Sequence, residues 1–213
     1  MKCTMVPVTA YQQNCSVLVC EKTGDAAVVD PGGDIERIEA AIEKLGGTLK
    51  VIFLTHGHMD HCAAADVMRK KYGVEIIGPH KEDDFWIDKL PDWCQMSGFP
   101  HADAFTPDKW LLDGDTVSFG EETLEVLHCP GHTPGHVVFY SPENRLAIVG
   151  DVLFQGSIGR TDFPKGDYDT LINSITGKLW PLGDDVTFIP GHGPTSTFGH
   201  ERATNPFVGS KFG

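Results

Sequence analysis

Three histidines and an aspartate stand within six residues in the run Thr55-His56-Gly57-His58-Met59-Asp60-His61, directly after the apolar stretch Val51-Ile52-Phe53-Leu54. That stretch is short and partly β-branched, which reads as a buried strand. The cluster therefore begins where a strand runs out into a loop, a place where a rigid scaffold presents reactive groups. Neutral imidazoles and carboxylates are ligands for zinc and similar divalent ions. The HxHxDH spacing lets two neighbouring sets of side chains face two metals. A solvated polar loop is the plain alternative, and matching residues further along count against it.

Three later strand ends carry the same chemistry. Val126-Leu127 leads into His128-Cys129-Pro130-Gly131-His132-Thr133-Pro134-Gly135-His136, Ala147-Ile148-Val149 into Gly150-Asp151, and Phe188-Ile189 into Pro190-Gly191-His192-Gly193. Each is a strand, a Gly or Pro turn, and then a His or Asp. Glycines beside a ligand let the backbone approach a metal without a Cβ in the way.

The rest of the chain narrows the class. A net charge of −13 argues against general affinity for nucleic acid or an anionic membrane surface. No apolar stretch approaches the roughly 20 residues that span a bilayer. The start Met1-Lys2-Cys3-Thr4-Met5-Val6-Pro7 lacks the apolar core of a signal peptide. The expectation is a soluble, cytoplasmic protein. Its six cysteines form no CxxC pair and no small-domain disulfide framework, and in the cytosol they stay reduced. Cys62 and Cys129 lie beside candidate ligands, where a small buried thiol is the plainer role than nucleophile or ligand.

Periodicity divides the chain into two alternating halves. The first reads as strands over 4–8, 15–20, 26–29, 50–54 and 74–77, with helices over 35–45 and 63–72. Ile35, Ile38, Ala41, Ile42 and Leu45 have helical spacing, which Gly46-Gly47 ends. The second half reads as strands over 116–119, 123–127, 137–140, 146–149 and 186–189, with a helix over 168–179. Residues 80–109, with Trp86, Trp93 and Met96, fit a lid or an ordinary connection equally well. Phe85, Trp86, Trp93 and Phe99 fit a substrate entrance, a dimer contact or plain packing. Strand-rich halves that each carry helices point to two sheets face to face with helices outside, an α+β sandwich.

The ligand loops together resemble the metallo-β-lactamase superfamily. That resemblance implies a four-layer αββα sandwich over residues 1–213 and a two-metal site. It places His56, His58 and His132 on one ion, Asp60, His61 and His192 on the other, and Asp151 between them. The ions implied are zinc, one or two per chain, with iron or manganese possible for the same donors. Two ions about 3.5–4 Å apart acidify a shared water, and the resulting hydroxide attacks a carbonyl carbon. Asp60 and Asp151 are then catalytic as well as ligating, by orienting that hydroxide. No GxSxG nucleophile motif is present. The best-known β-lactamases of the superfamily have Cys where this chain has Asp151.

More narrowly, THGHMDH, LHCPGHTPGH, Gly150-Asp151 and IPGHGP resemble the glyoxalase II group. VPVTAYQQNC, VDPGGD and GRTDFPKGD resemble its short bacterial members. The activity implied is hydrolysis of S-D-lactoylglutathione to D-lactate and glutathione, in methylglyoxal detoxification. A small-molecule glutathione thioester is then the partner, with neither nucleic acid nor membrane. Full-length members add a C-terminal helical domain that grips glutathione. The chain ends shortly after His192, so that domain is expected to be absent. The group also has a basic residue nine positions after the bridging Asp and a Tyr two further on. Here these are Arg160 and Asp162. Arg160 is a candidate partner for a glutathione carboxylate or for a loop salt bridge. His128 and His136 are candidates to support the ligands from behind, whereas His80, His101 and His200 read as surface or core.

Alternatives remain on the same scaffold. A persulfide dioxygenase would use one iron on His56, His132 and Asp151. A lactonase would open a cyclic ester by the same attack. A metal-dependent nuclease fits the acidic charge poorly, and a non-catalytic module fits the complete ligand set poorly.

Overall fold

In the computed structural model, which describes residues 1–210, the first half forms a five-stranded sheet. Its order is β1 (Lys2–Val8), β2 (Gln13–Val19), β3 (Asp25–Val29), β4 (Thr48–Phe53) and β5 (Glu75–Ile77). The first three are antiparallel neighbours, while β3–β4 and β4–β5 are parallel. Parallel neighbours need a crossover. Helix α1 (Ile35–Leu45) makes the first, and α2 (Met59–Cys62) with α3 (Ala65–Tyr72) the second. Two more helices follow, α4 (Asp84–Asp88) and α5 (Leu90–Ser97).

The second half contributes β6 (Thr116–Phe119), β7 (Glu122–His128), β8 (Val137–Ser141) and β9 (Leu146–Gly150). A small hairpin, β10 (Leu153–Phe154) with β11 (Ser157–Ile158), comes next. Helix α6 (Tyr168–Ser174), β12 (Thr187–Pro190), β13 (Ser196–Thr197) and α7 (Phe198–Thr204) complete it. The second sheet runs β13-β12-β9-β8-β7-β6, with β9 and β12 parallel.

Side-chain alternation explains the layering. On β2, Cys15, Val17 and Val19 face the helices outside, while Leu18 faces the other sheet. On β3, Ala26 and Val28 point outward, and Ala27 and Val29 inward. On β8, Val138 and Tyr140 pack with α6 and α7, whereas Val137 and Phe139 pack inward. These strands are buried on both faces, so they read in sequence as continuous apolar runs. The result is helix, sheet, sheet, helix, the expected αββα sandwich. Phe53 of β4 meets Phe139 of β8 across the seam, with ring centroids 5.3 Å apart. Truncating such a buried ring costs about 3–5 kcal/mol.

Most expected elements agree with the structure to within a residue or two. The expected 168–179 helix keeps α-geometry only to Ser174 and then widens into a π-turn over Ile175–Leu179. Residues 80–109 resolve into a turn, α4, α5 and an extended stretch. Phe99 is buried in the outer core rather than at an entrance, and Phe85 lies beneath the Lys165 ammonium. Backbone bonds stitch the sheets at one edge: Val137 N donates to Thr55 O at 2.8 Å, and Asn14 N to Gly191 O at 2.7 Å. All four ligand-bearing loops leave the sheets at that edge.

Candidate metal centre

Each expected ligand arrives by its own loop. His56 and His58 follow β4, Asp60 and His61 open α2, and His132 lies between β7 and β8. Asp151 follows β9, and His192 follows β12. The structure brings all seven together. His58 Nδ1 is 3.1 Å from His56 Nε2 and 3.0 Å from His132 Nε2. Asp60 Oδ2 is 3.1 Å from His192 Nε2 and 3.8 Å from His61 Nε2. Asp151 lies between these groups, with Oδ1 3.4 Å from His61 Nε2. Its Oδ2 is 3.6 Å from His132 Nε2 and 3.7 Å from His192 Nε2.

The spacing suits cations. Two donors each about 2.0–2.1 Å from a tetrahedral ion stand roughly 3.3–3.4 Å apart, and the observed separations bracket that value. The outer hydrogen bonds point to the same conclusion. His61 Nδ1 donates to Asp30 Oδ2 at 2.8 Å, His132 Nδ1 to Arg160 O at 2.7 Å, and His192 Nδ1 to Tyr11 O at 3.2 Å. Thr55 Oγ1 donates to Asp30 at 2.6 Å, so its lone pair accepts from His56 Nδ1 at 3.0 Å. With Nδ1 carrying the proton, the Nε2 lone pairs of His56, His61, His132 and His192 converge on each other and on two carboxylates. His61 Nε2 and Asp151 Oδ1 are buried without any protein partner. Converging lone pairs of this kind are met by hydrogen-bond donors or by cations.

Burial decides against protons on one side. It pushes the His56 and His58 imidazoles well below the ordinary histidine range. Burial also opposes a charge on His61, yet Asp151 and Asp60 outweigh it and lift that imidazole well above the range. Burial works against the Asp151 carboxylate, and His61 and His132 still hold it far below the usual carboxylate range. The donor set thus suits divalent ions, with His56, His58 and His132 as one cluster and Asp60, His61 and His192 as another, and Asp151 stands between the two. A Cβ on Gly191 would fall 2.0 Å from Asp151 Oδ1, so only glycine lets the last ligand loop come this close.

Two buried acids that the sequence did not single out support the ligands. Asp30, at the end of β3, holds His61 and also accepts from Thr55 N at 2.7 Å. Its signal was present in the VDPGGD run, at a strand end that pairs in parallel beside the HxHxDH strand. Asp83 accepts from Gly57 N at 2.9 Å, Thr133 Oγ1 at 2.8 Å and Gly135 N at 2.6 Å. It therefore ties together the two loops that carry His56, His58 and His132. Burial raises its pKa to about 6 despite those bonds. Asp83 sits among four consecutive charged residues, Lys81 to Asp84, and nothing in the sequence distinguishes it from a solvated run.

Among the other histidines, His136 is wholly buried behind the centre. Its Nε2 accepts from Asp151 N at 3.0 Å, and its ring stacks on His56 at 4.6 Å. His128 stacks on His80 away from the centre and donates to Pro134 O. His101 and His200 are exposed. Cys62 and Cys129 are fully buried, and burial raises both thiols, Cys129 to about 12. Neither is a nucleophile at neutral pH.

Above the centre lies a cleft of about 560 Å³. Trp86, Trp93 and Met96 form one wall, and Tyr11, Phe154 and Phe163 complete it. Trp86 stands edge-on to His58 at 4.4 Å and Phe163 at 4.9 Å. Arg160 also lines the cleft. Its guanidinium donates to both oxygens of Asp162, at 2.9 and 2.8 Å, and lies 4.4 Å from the Phe163 ring centroid. In this structure Arg160 makes the loop salt bridge.

The αββα sandwich with His and Asp loops along one edge defines a metal-centred protein of known lineage. The chain belongs to the metallo-β-lactamase superfamily, whose family model matches residues 8–201. It is 50% identical to "Hydroxyacylglutathione hydrolase GloC" of Haemophilus influenzae over 99% of this chain and 100% of that one. The structure of the BLEG-1 B3 metallo-beta-lactamase superposes with TM-score 0.89 at 34% identity, covering 97% of this chain and 99% of that one. TTHA1623 in a di-iron-bound form gives TM-score 0.87 at 32% identity, over 96% and 100%.

Proposed function

We propose that the protein is a metal-dependent thioester hydrolase that converts S-D-lactoylglutathione to D-lactate and glutathione. The observation that carries this reading is the 50% identity, over the full length of both chains, with a hydroxyacylglutathione hydrolase. The seven converging donors support it chemically. His56, His58, Asp60, His61, His132, Asp151 and His192 would hold one or two ions, zinc foremost, with iron or manganese suiting the same donors. Bound there, such ions would supply Lewis acidity toward the thioester carbonyl and would acidify a water.

The chain's own residues do the rest. Asp60 and Asp151 would orient the attacking water along their carboxylate oxygens, and the proton that this water gives up would leave to bulk solvent. Asp30, Thr55, His136 and Asp83 fix the ring and carboxylate positions so that the site is organised before substrate arrives. Trp86 and Phe163 shield the His58 side from bulk water. A thiolate leaves readily, so a strong general acid is unnecessary. Among the described residues no helix is long and apolar enough to cross a membrane. The proposed substrate would give the protein a small-molecule role in methylglyoxal detoxification, in the cytoplasm.

The test is hydrolysis of S-D-lactoylglutathione by protein stripped of metal and reloaded with zinc. Turnover that disappears on chelation and returns with zinc supports the reading. Inactivity with both ions bound overturns it. Measuring oxygen consumption with glutathione persulfide on iron-loaded protein, and turnover of a β-lactam and a lactone on zinc-loaded protein, would then identify the replacement.

A further inference from the structure

The cleft above the centre is poorly equipped to read glutathione and well equipped to read an apolar group. Glutathione carries two carboxylates and an ammonium. Outside the candidate ligands, the only charged side chain lining the cleft among the described residues is Arg160, which Asp162 already engages at both oxygens and which is 67% exposed. A surface ion pair of that kind contributes little, and an exchange of partners contributes less. Apart from the Ser97 hydroxyl, the rest of the lining is mostly aromatic and apolar, with Tyr11, Trp86, Trp93, Met96, Phe154 and Phe163 foremost. Trp86 and Trp93 pack with ring centroids 4.7 Å apart and planes inclined by 45°, and Phe163 meets Trp86 edge-on at 6.1 Å. Met96 is 76% exposed at the rim, an unusual position for a large apolar side chain unless something covers it. A flexible thioether beside two indoles adapts to aromatic groups of varied shape.

We propose that this site selects thioesters with a bulky apolar acyl group, aryl-substituted 2-hydroxyacyl thioesters foremost, and that Trp93 and Met96 determine that specificity. This rests on the thioester reading above. The scissile carbonyl lies at the metal centre, and its two arms must leave along the cleft. The acyl arm carries no charge and lies against α4 and α5. The thiol arm runs toward solvent past Arg160, where its carboxylates keep their hydration. Binding energy then scales with the apolar area of the acyl group rather than with the charges of the thiol.

The experiment compares kcat/KM of the zinc-loaded protein for lactoyl and mandeloyl thioesters of glutathione and of the uncharged thiol N-acetylcysteamine. The mandeloyl group is expected to exceed lactoyl by about tenfold or more with either thiol, and exchanging the thiol is expected to change kcat/KM by less than about threefold. Trp93→Ala is expected to collapse the mandeloyl-to-lactoyl ratio toward one. Met96→Ser, at an exposed position that tolerates change, is expected to reduce it several-fold. Binding of free mandelate, followed by tryptophan fluorescence, is expected to be tighter than that of lactate and to weaken in both variants. Lactoylglutathione turnover with a lactoyl preference, or a ratio insensitive to both variants, overturns the inference and leaves the thioester reading intact. If no thioester is turned over while mandelate still binds through Trp93, the thioester reading fails and the apolar subsite stands.

Discussion

Asp30 Oδ2 stands 2.8 Å from His61 Nδ1, and the same carboxylate accepts the backbone N–H and hydroxyl of Thr55. One buried acid thus orients ligands on both sides of the centre: His61 directly, and His56 through Thr55. Asp30→Asn places an N–H where one of these donors already points. The expected outcome is a 10–100-fold loss of affinity for at least one ion, read by chelator competition, with the fold retained by circular dichroism.

Asp83 makes a pH-dependent contribution that can be isolated. Its folded pKa, about 6, lies above its unfolded value near 3.8. The fold therefore favours the protonated acid. That stabilisation is complete below about pH 3.8 and is lost as pH rises through about 6. Roughly two units correspond to about 3 kcal/mol. In metal-free protein, Asp83→Asn is expected to flatten the stability profile between about pH 4 and 6 relative to wild type, measured by urea unfolding. An unchanged difference across that window would show that Asp83 titrates normally.

His58→Ala and Asp151→Ala each remove a donor that no neighbour can replace. Turnover is expected to fall by about 10³-fold or more, with secondary structure intact. Near-normal activity in either variant would refute the assignment of that ligand.

Gly191→Ala drives a methyl group against Asp151 Oδ1 and His61 Cε1. Relief requires the His192 loop to retreat, at a cost of about 1–3 kcal/mol. The protein is expected to hold fewer than two ions, as measured by elemental analysis, before it loses its fold.

Asp162→Asn frees the Arg160 guanidinium from its bidentate partner. KM for a glutathione thioester is expected to fall about three- to tenfold with kcat unchanged. No change would remove Arg160 from substrate contact.

The sequence revealed the ligands because each stands just past an apolar strand, and those strands announce themselves through burial on both faces. Helix α1 was equally plain, since Ile38 and Ile42 face the core and Gly46 closes the helix at φ 73°. The region 80–109 was opaque for the opposite reason. Helices α4 and α5 have five and eight residues, too short for periodicity to register. Their tryptophans line a cleft completed by Tyr11 and Phe154 from distant parts of the chain. Hairpin β10–β11 has two-residue strands held by Glu201 and Asn205 of the tail, a dependence with no local signature. Asp83 acts through Gly57 and Gly135, 26 and 52 residues away.

The ligands divide between the two sheets: His56, His58, Asp60 and His61 belong to the first, and His132, Asp151 and His192 to the second. Ions bound there would cross-link the seam and would favour the folded chain over the unfolded one. By mass action, free metal at 100 times its dissociation constant adds about 2.7 kcal/mol to stability. The supply of divalent metal would then govern how long each molecule survives proteolysis as well as how fast it turns over. A metal-starved cell would hold less of this protein, beyond any loss of activity per molecule.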